Sequence, residues 1–390
     1  MAAVIMWSAL GALVYVYVGY PALVWLLATL RPRPVRRQPI TPRTSVICTV
    51  YNEEAVIAEK LRNSLAFDYP PEQLEILIAS DGSTDRTDEI VHSEFGDRVR
   101  LLRVEGRVGK TATQNEAVRA ATGEILVFSD ATTMYRPDAV RLIVENFADP
   151  DVGLATGSVV YGTEIDSSVD QGRAAYWNYE SFLRTQESNF HSIMGAAGCF
   201  YAMRKPLYNF LGAELISDVA QAVKTVQKGY RSVVDDSAVC YEPAESSSIP
   251  EEIRRRARVI ARSLRSSWMM RDFFNPLRHP WFCLLLFSHR ILRWAVPFIL
   301  LIVFLANACL LDRPFYRLLF LGQLAFYGLA LLGWILERRG KKVKLLMVPY
   351  YFCVVNASPV LAVWSLLRGQ TKVTWETTRA SAPAGVQRQP

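Results

Sequence analysis

Residues 45–54, SVICTVYNEE, and 74–85, LEILIASDGSTD, decide how this chain is to be read. Each is a short apolar run rich in β-branched residues that stops at a cluster of polar and acidic side chains. Runs of the same kind lie at 99–104 (VRLLRV), 124–129 (EILVFS) and 152–160 (VGLATGSVV), and the intervals 53–65, 85–95, 110–122 and 137–148 carry helical patterns. Apolar strands separated by single helices predict a Rossmann-like α/β domain whose mostly parallel sheet is covered on both faces. Ligands of such sheets bind outside the carboxyl ends of the strands. The residues found there are Tyr51-Asn52-Glu53-Glu54, Asp81-Gly82-Ser83-Thr84-Asp85 and Asp130. Each has an ordinary local reading: Asp81-Gly82 suits a turn, Ser83 and Asp85 suit a helix cap, and Asn52 to Glu54 can open a helix. Turn chemistry does not require an acid at every sheet end, so the joint pattern points to a ligand site.

The 390 residues are 51% hydrophobic and 21% charged, which excludes disorder as the main state, and the apolar residues concentrate at the two ends. Residues 4–30 contain no charge, and at 1.5 Å per residue they exceed a hydrocarbon core of about 30 Å, so they form a spanning helix. Arg31, Arg33, Arg36, Arg37 and Arg43 follow with no acid among them, which places this flank and the domain after it on the cytoplasmic side of the plasma (inner) membrane. Near the other end His289, Arg290 and Arg293 interrupt the apolar block, so 277–293 reads as a helix lying in the interface. Spans follow at 294–311, 315–336 and 346–367, the last open to being broken at Asn356, Ser358 and Pro359. The organisation expected is a membrane helix at 1–30, a basic linker at 31–43, an α/β domain at 44–250, amphipathic interface helices at 251–293, two or three spans at 294–367 and a tail at 368–390.

Six scattered cysteines without a C-x-x-C pair argue against a disulfide framework or a zinc site, and no histidine has metal-ligand spacing. Gly109-Lys110-Thr111 lacks the upstream glycine of a Walker A loop, and no G-x-G-x-x-G follows the first strand. The acids then suit a diphosphate bridged by Mg²⁺ or Mn²⁺, with Lys110 as a further positive contact or a solvated helix-start lysine. The formal charge of +7 suits an anionic membrane better than nucleic acid, because no aromatic residues interleave the arginines as stacking platforms.

V-Y-N-E-E at 50–54, S-D-G-S-T-D at 80–85, G-K-T-A-T-Q-N at 109–115, F-S-D-A at 128–131, I-S-D at 216–218, K-G-Y-R at 228–231 and R-R-x-R at 255–258 occur in one chain. In that combination the sequence resembles the membrane-anchored family 2 glycosyltransferases, which include cellulose, chitin and hyaluronan synthases. The resemblance covers residues 44 to about 300 and extends to the flanking spans. It implies a GT-A fold, a UDP-sugar donor and inversion at the anomeric carbon. By motif it places Asp81 against the nucleoside with Asn52 and Glu53 beside it, Asp130 on the metal and Asp218 as general base. Asp218 opens an amphipathic helix (Val219, Ala222, Val223, Val226), where it can equally act as an N-cap.

The chain departs from the family twice. Asp130-Ala131-Thr132-Thr133 lacks the second acid of the metal motif. Arg255-Arg256-Ala257-Arg258-Val259 lacks the tryptophan of processive members, which puts polymerisation in doubt. Arg255 and Arg258 lie on a basic amphipathic helix that either rests on anionic lipid or reaches the departing diphosphate. Residues 173–205 are expected to wall the acceptor site, with Tyr176, Trp177 and Tyr179 as stacking or core aromatics and Gly195 and Gly198 in a loop passing close to a ligand. The function expected is transfer of a sugar from UDP to a growing polysaccharide or lipid-linked glycan at the cytosolic membrane face. The alternatives are single addition to a lipid, or a non-catalytic export subunit with a degenerate transferase domain.

Overall fold

The computed structural model describes residues 1–162, 168–243, 249–269, 275–339, 341 and 343–368. The first apolar segment is one continuous helix: α1 (Ala2–Val14), a π turn (Tyr15–Gly19) and α2 (Tyr20–Leu30). The linker after it is strapped to the domain. Arg36 donates to Asp149 at 3.0 Å and Arg37 to Asp235 at 3.1 Å, and both acids are almost wholly buried, so the linker arginines neutralise charges that water cannot reach.

Strands and helices then alternate as β1 (Thr44–Val50), α3 (Ile57–Leu65), β2 (Leu74–Asp81), α4 (Thr87–Phe95), β3 (Arg100–Val104), α5 (Lys110–Ala120) and β4 (Ile125–Asp130). These four strands are parallel, in the order β3-β2-β1-β4, with Val46 in register with Ile76 on one side and Val127 on the other. Every residue of β1 is buried, which explains its unbroken apolar run. Ile47, Leu77 and Phe128 pack on one face with Ala117 and Val118 of α5. On the other face Cys48, Ile76 and Ile78 pack with Ile57 and Leu61 of α3 and Val91 of α4.

The chain continues as β5 (Met134–Tyr135), α6 (Ala139–Glu145), β6 (Val152–Tyr161), α7 (Ser168–Phe190), β7 (Phe200–Arg204), α8 (Ser217–Gln227) and β8 (Arg231–Glu242). The full sheet has eight strands in the order β3-β2-β1-β4-β7-β6-β8-β5. Its second half is mixed, because β7 runs antiparallel to both β4 and β6. The sequence reading merged β7 into the acceptor wall and did not see β8. The reason lies in β8 itself: its pairing with β6 jumps from Gly157–Asp235 to Ser158–Val239, so residues 236–238 bulge out and break the alternation.

The C-terminal part holds α9 (Ile249–Met269), α10 (Pro280–Leu285), a second π turn (Leu286–Ile291), α11 (Leu292–Ala308), α12 (Pro314–Arg338) and α13 (Lys344–Leu367). Among the described residues four helices are long and apolar enough to cross a membrane: Ala2–Leu30, Pro280–Ala308, Pro314–Arg338 and Leu345–Leu367. The interval 277–293 is therefore not a helix of its own. The helix that starts at Pro280 passes through His289, Arg290 and Arg293 without a break. His289 and Arg293 are accommodated because Glu180 and Glu187 of α7 face them. Pro349 and Pro359 do not divide α13, which packs Ala362 against Ala257 and Ala261 of α9.

Candidate active site

The loops after β1 and β2 are stitched into one rim. The Asn52 backbone has φ of 52°, and its side-chain oxygen accepts from the Thr84 amide at 2.8 Å. The Glu53 amide donates to the Thr87 hydroxyl at 2.8 Å and the Glu54 amide to Asp85 at 3.1 Å, while Asp85 also accepts from the Thr87 amide at 3.0 Å. This lacing is why α3 begins at Ile57 and α4 at Thr87, each later than its sequence pattern: residues 52–54 and 83–86 bind each other instead of starting helices.

Asp81, expected against the nucleoside, is wholly buried. Its carboxylate accepts from the amides of Val108 (2.9 Å) and Gly109 (3.0 Å) and from the Thr113 hydroxyl (2.9 Å). Gly109, at φ of 93°, opens α5, and the next residue is Lys110. Asp81 thereby anchors the turn that carries Lys110. Lys110 Nζ forms an ion pair with Asp130 Oδ1 at the end of β4, the lysine side chain 30% exposed and the carboxylate 36%. Burial works to lower the pKa of Lys110, but contact with Asp130 and the field of Asp218 carry it above its ordinary value.

Asp218 lies in the first turn of α8, a helix whose other face is buried through Val219, Ala222, Val223 and Val226. Its Oδ1 accepts its neighbour's amide, Val219, at 2.8 Å, and its backbone carbonyl accepts from Ala196 at 3.2 Å. Burial pushes its pKa up, opposed by the charges of Lys110 and Arg290. Lys110 thus joins Asp130 and Asp218 in one electrostatic cluster. Gly198 is what admits Asp218: a Cβ there would sit 2.6 Å from Asp218 Oδ2. Gly198→Ala is expected to displace the carboxylate and reduce turnover on the order of a hundredfold while leaving donor affinity within about twofold, measured by initial rates and by calorimetry.

The sequence reading missed two groups at this end of the sheet. Glu242, at the end of β8, accepts from the hydroxyls of Thr132 (3.2 Å) and Thr133, which brings a second acid beside the Asp130 turn. Lys60, fully buried on α3, donates to the Thr133 carbonyl at 2.6 Å and lies 4.1 Å from the centre of the Tyr135 ring. No local pattern marks either, since both reach the turn from distant strands and helices. Burial pulls Lys60 down to about 8 from 10.5. The unfolded chain then binds more protons than the folded one between pH 8 and 10.5, so stability should rise with pH across that window. The rise, about 3 kcal/mol at most, is expected in thermal unfolding of the parent protein and should be absent from Lys60→Met.

Trp177 stacks on Tyr161 at 4.7 Å and 26° between planes, so one face of its ring is covered by protein. The side chain of Tyr176 lies outside the described residues. Arg255 and Arg258 are exposed on α9, whereas Arg256 turns inward to Glu252 at 2.8 Å and to the Tyr351 hydroxyl at 3.0 Å. Arg262, one turn further, reaches the Leu215 carbonyl at 3.4 Å just before α8. A groove of about 680 Å³ lined by Val118, Ile125, Arg204 and Phe210 opens at the amino end of β4, on the opposite edge of the sheet from these groups.

A cation could be held at Asp130, with Glu242 behind it. Among the described residues no three His, Cys, Asp or Glu side chains form a complete metal cage. That donor set fits a hard divalent ion, which binds through one or two carboxylates and takes its remaining oxygens from a phosphorylated ligand and water.

Residues 45–212 match the family model described as glycosyl transferase family 2. The chain carries a family 2 glycosyltransferase domain. It is similar to the poly-beta-1,6-N-acetyl-D-glucosamine synthase of Staphylococcus aureus (strain COL), 28% identical over 240 residues, 58% of this chain and 56% of that one. It is also similar to an N-acetylglucosaminyltransferase of Azorhizobium caulinodans, 29% identical over 168 residues, 41% of each chain. The chain thus spans about half the length of the curated relatives it matches. A mannosyltransferase from Pyrobaculum calidifontis, solved in complex with GDP-Man and Mn²⁺, superposes with a TM-score of 0.70 at 24% identity, covering 94% of this chain and 99% of that one. The glycosyltransferase domain therefore has the expected GT-A-like fold, with apolar helices suited to a membrane on either side of it.

Proposed function

We propose that this glycosyltransferase transfers a sugar from a UDP-sugar, with inversion, to a growing polysaccharide or lipid-linked glycan at the cytosolic face of the plasma (inner) membrane. One observation carries the reading: Asp218 and the Lys110–Asp130 pair form a single charged cluster at the carboxyl edge of the sheet, beside the helix at 280–308. Asp218 is the general base. It takes the proton of the acceptor hydroxyl as that oxygen bonds to the anomeric carbon, and the bond to the diphosphate breaks with its electron pair leaving on UDP. Lys110 stabilises the developing charge on the diphosphate, and Asp130 would hold a divalent cation that would supply Lewis-acid neutralisation there. The rim at Asn52 and Glu53 takes the nucleotide, Arg255 and Arg258 the phosphates or the lipid surface, and Trp177 and Gly198 the acceptor. The Mn²⁺ and GDP-Man of the Pyrobaculum calidifontis enzyme support a divalent metal and a nucleotide-sugar donor here. The poly-GlcNAc synthase supports a glycan product. The arginines of residues 31–43 support a cytoplasmic domain.

A second reading, addition of one sugar to a lipid, is favoured by Val259 where processive members have tryptophan. The test is nucleotide release from UDP-sugars and GDP-mannose by detergent-solubilised protein, with and without Mg²⁺ or Mn²⁺. A metal-dependent signal with a UDP-sugar supports the donor assignment, and release from GDP-mannose alone overturns it. Product size then separates the two acceptors. Asp218→Asn protein that releases nucleotide as fast as the parent would remove Asp218 as the base, and a parent that releases nucleotide from no donor would indicate a non-catalytic export role.

A further inference from the structure

The helix at 280–308 carries three basic side chains within five residues, His289, Arg290 and Arg293, and they are treated differently. His289 meets Glu187 at 2.7 Å and Glu180 at 3.1 Å, and Arg293 meets Glu180 at 2.7 Å. Arg290 has no carboxylate or carbonyl within hydrogen-bonding distance among the described residues. It sits in the π turn Leu286–Ile291, where the helix widens by a residue, and the turn is pinned to the π turn of the N-terminal helix by Tyr15 and Ser288 at 2.8 Å. Single π turns inside α-helices frequently mark functional sites.

The Arg290 guanidinium does not face lipid. It occupies the space that a Cβ on Gly195 would fill, and Gly198, three residues on, makes the same room for Asp218. One short loop therefore has two glycines because a cation and a carboxylate lie across it. Around that loop Lys110, Arg184, Arg262 and Arg290 lie in the field of Asp130, Asp218, Glu180 and Glu187, and the two glutamates are already engaged by His289 and Arg293. A half-buried guanidinium that carboxylates approach without any direct hydrogen bond keeps its N–H donors open to an anion, and its planar fork matches two phosphate oxygens.

We propose that Arg290 is the membrane-side ligand of a phosphoryl group held beside Asp218, either on the acceptor or on the departing diphosphate. His289, Arg293, Glu180 and Glu187 are positioning residues that hold the π turn so that Arg290 points inward. The inference rests on the transfer site proposed above, but binding alone tests it. Calorimetry on the detergent-solubilised full chain would compare decyl phosphate with decanol, and UDP with uridine. The parent is expected to favour the phosphorylated member of each pair, and Arg290→Gln to reduce that preference by about tenfold in one pair. A loss confined to decyl phosphate assigns the group to the acceptor, and a loss confined to UDP assigns it to the leaving diphosphate. Arg290→Lys, which keeps the charge without the fork, should show a smaller loss and serves if the glutamine variant fails to fold. Unchanged preferences in both pairs, in a variant that melts at the parent's temperature, overturn the proposal. A protein that shows the preference yet releases nucleotide from no donor would sink the transferase reading and leave this one standing.

Discussion

Asp218→Asn is expected to lower turnover by about 10²- to 10⁴-fold while leaving donor affinity unchanged, the range spanned by loss of a positioned general base. Asparagine fits the same space beside Gly198 and can still accept the Val219 amide, so the change removes basicity and little else. The pH dependence makes the assignment specific. Burial raises the pKa of Asp218, and only the ionised form accepts a proton. Activity of the parent should therefore fall on acidification at a pH above the ordinary carboxylate range, and the residual activity of the variant should lack that limb. Stability moves the other way. A carboxyl whose folded pKa exceeds its unfolded one favours folding fully below the unfolded value and loses that contribution as pH rises through the folded one. Asp218→Asn is thus expected to melt no lower than the parent at neutral pH. A variant that loses both activity and thermal stability would indicate a helix cap and not a base.

Asp130→Ala should be nearly as damaging, with a fall in activity of at least about a hundredfold, but its signature differs. It removes the carboxylate that would carry the cation and leaves the half-buried Lys110 without its partner. Stimulation by Mg²⁺ or Mn²⁺ should disappear, and UDP affinity should become independent of the metal, both measurable by calorimetry in chelator and in excess cation. A double-mutant cycle with Lys110→Met should show coupling of about 1–3 kcal/mol, as expected for two groups in direct contact. Retention of full metal stimulation in Asp130→Ala would place the cation elsewhere, with Glu242 the first residue to examine.

Much of this was legible in the linear chain. The first four strands, the helices between them and the four apolar segments follow from period and length, because a buried parallel strand must be continuously apolar and a membrane helix must be long and uncharged. Asp130 and Asp218 stood out because acids at a strand end and at a helix start have few neighbours to explain them. Asp81 stood out for the same reason, and what the linear chain did not reveal is that its carboxylate accepts from the amides of Val108 and Gly109, backbone groups far along the chain. Lys60 and Glu242 were invisible because each reaches the Thr132-Thr133 turn from an element whose own pattern is unremarkable. The charges at 289–293 were read as a break in the membrane segment, since pairing with Glu180 and Glu187 is a fact about packing.

By itself, the order of residues determined the kinds of element, the compartments they suit and the presence of acids where strands end. Periodicity and length are properties of a single segment, and no folding is needed to read them. Which acid lies at the rim, which is buried under a turn, and which cation has no direct partner depended on side chains meeting across a hundred positions and more. Only tertiary structure decided those, because charge neutralisation and burial are relations between segments that the linear order leaves open.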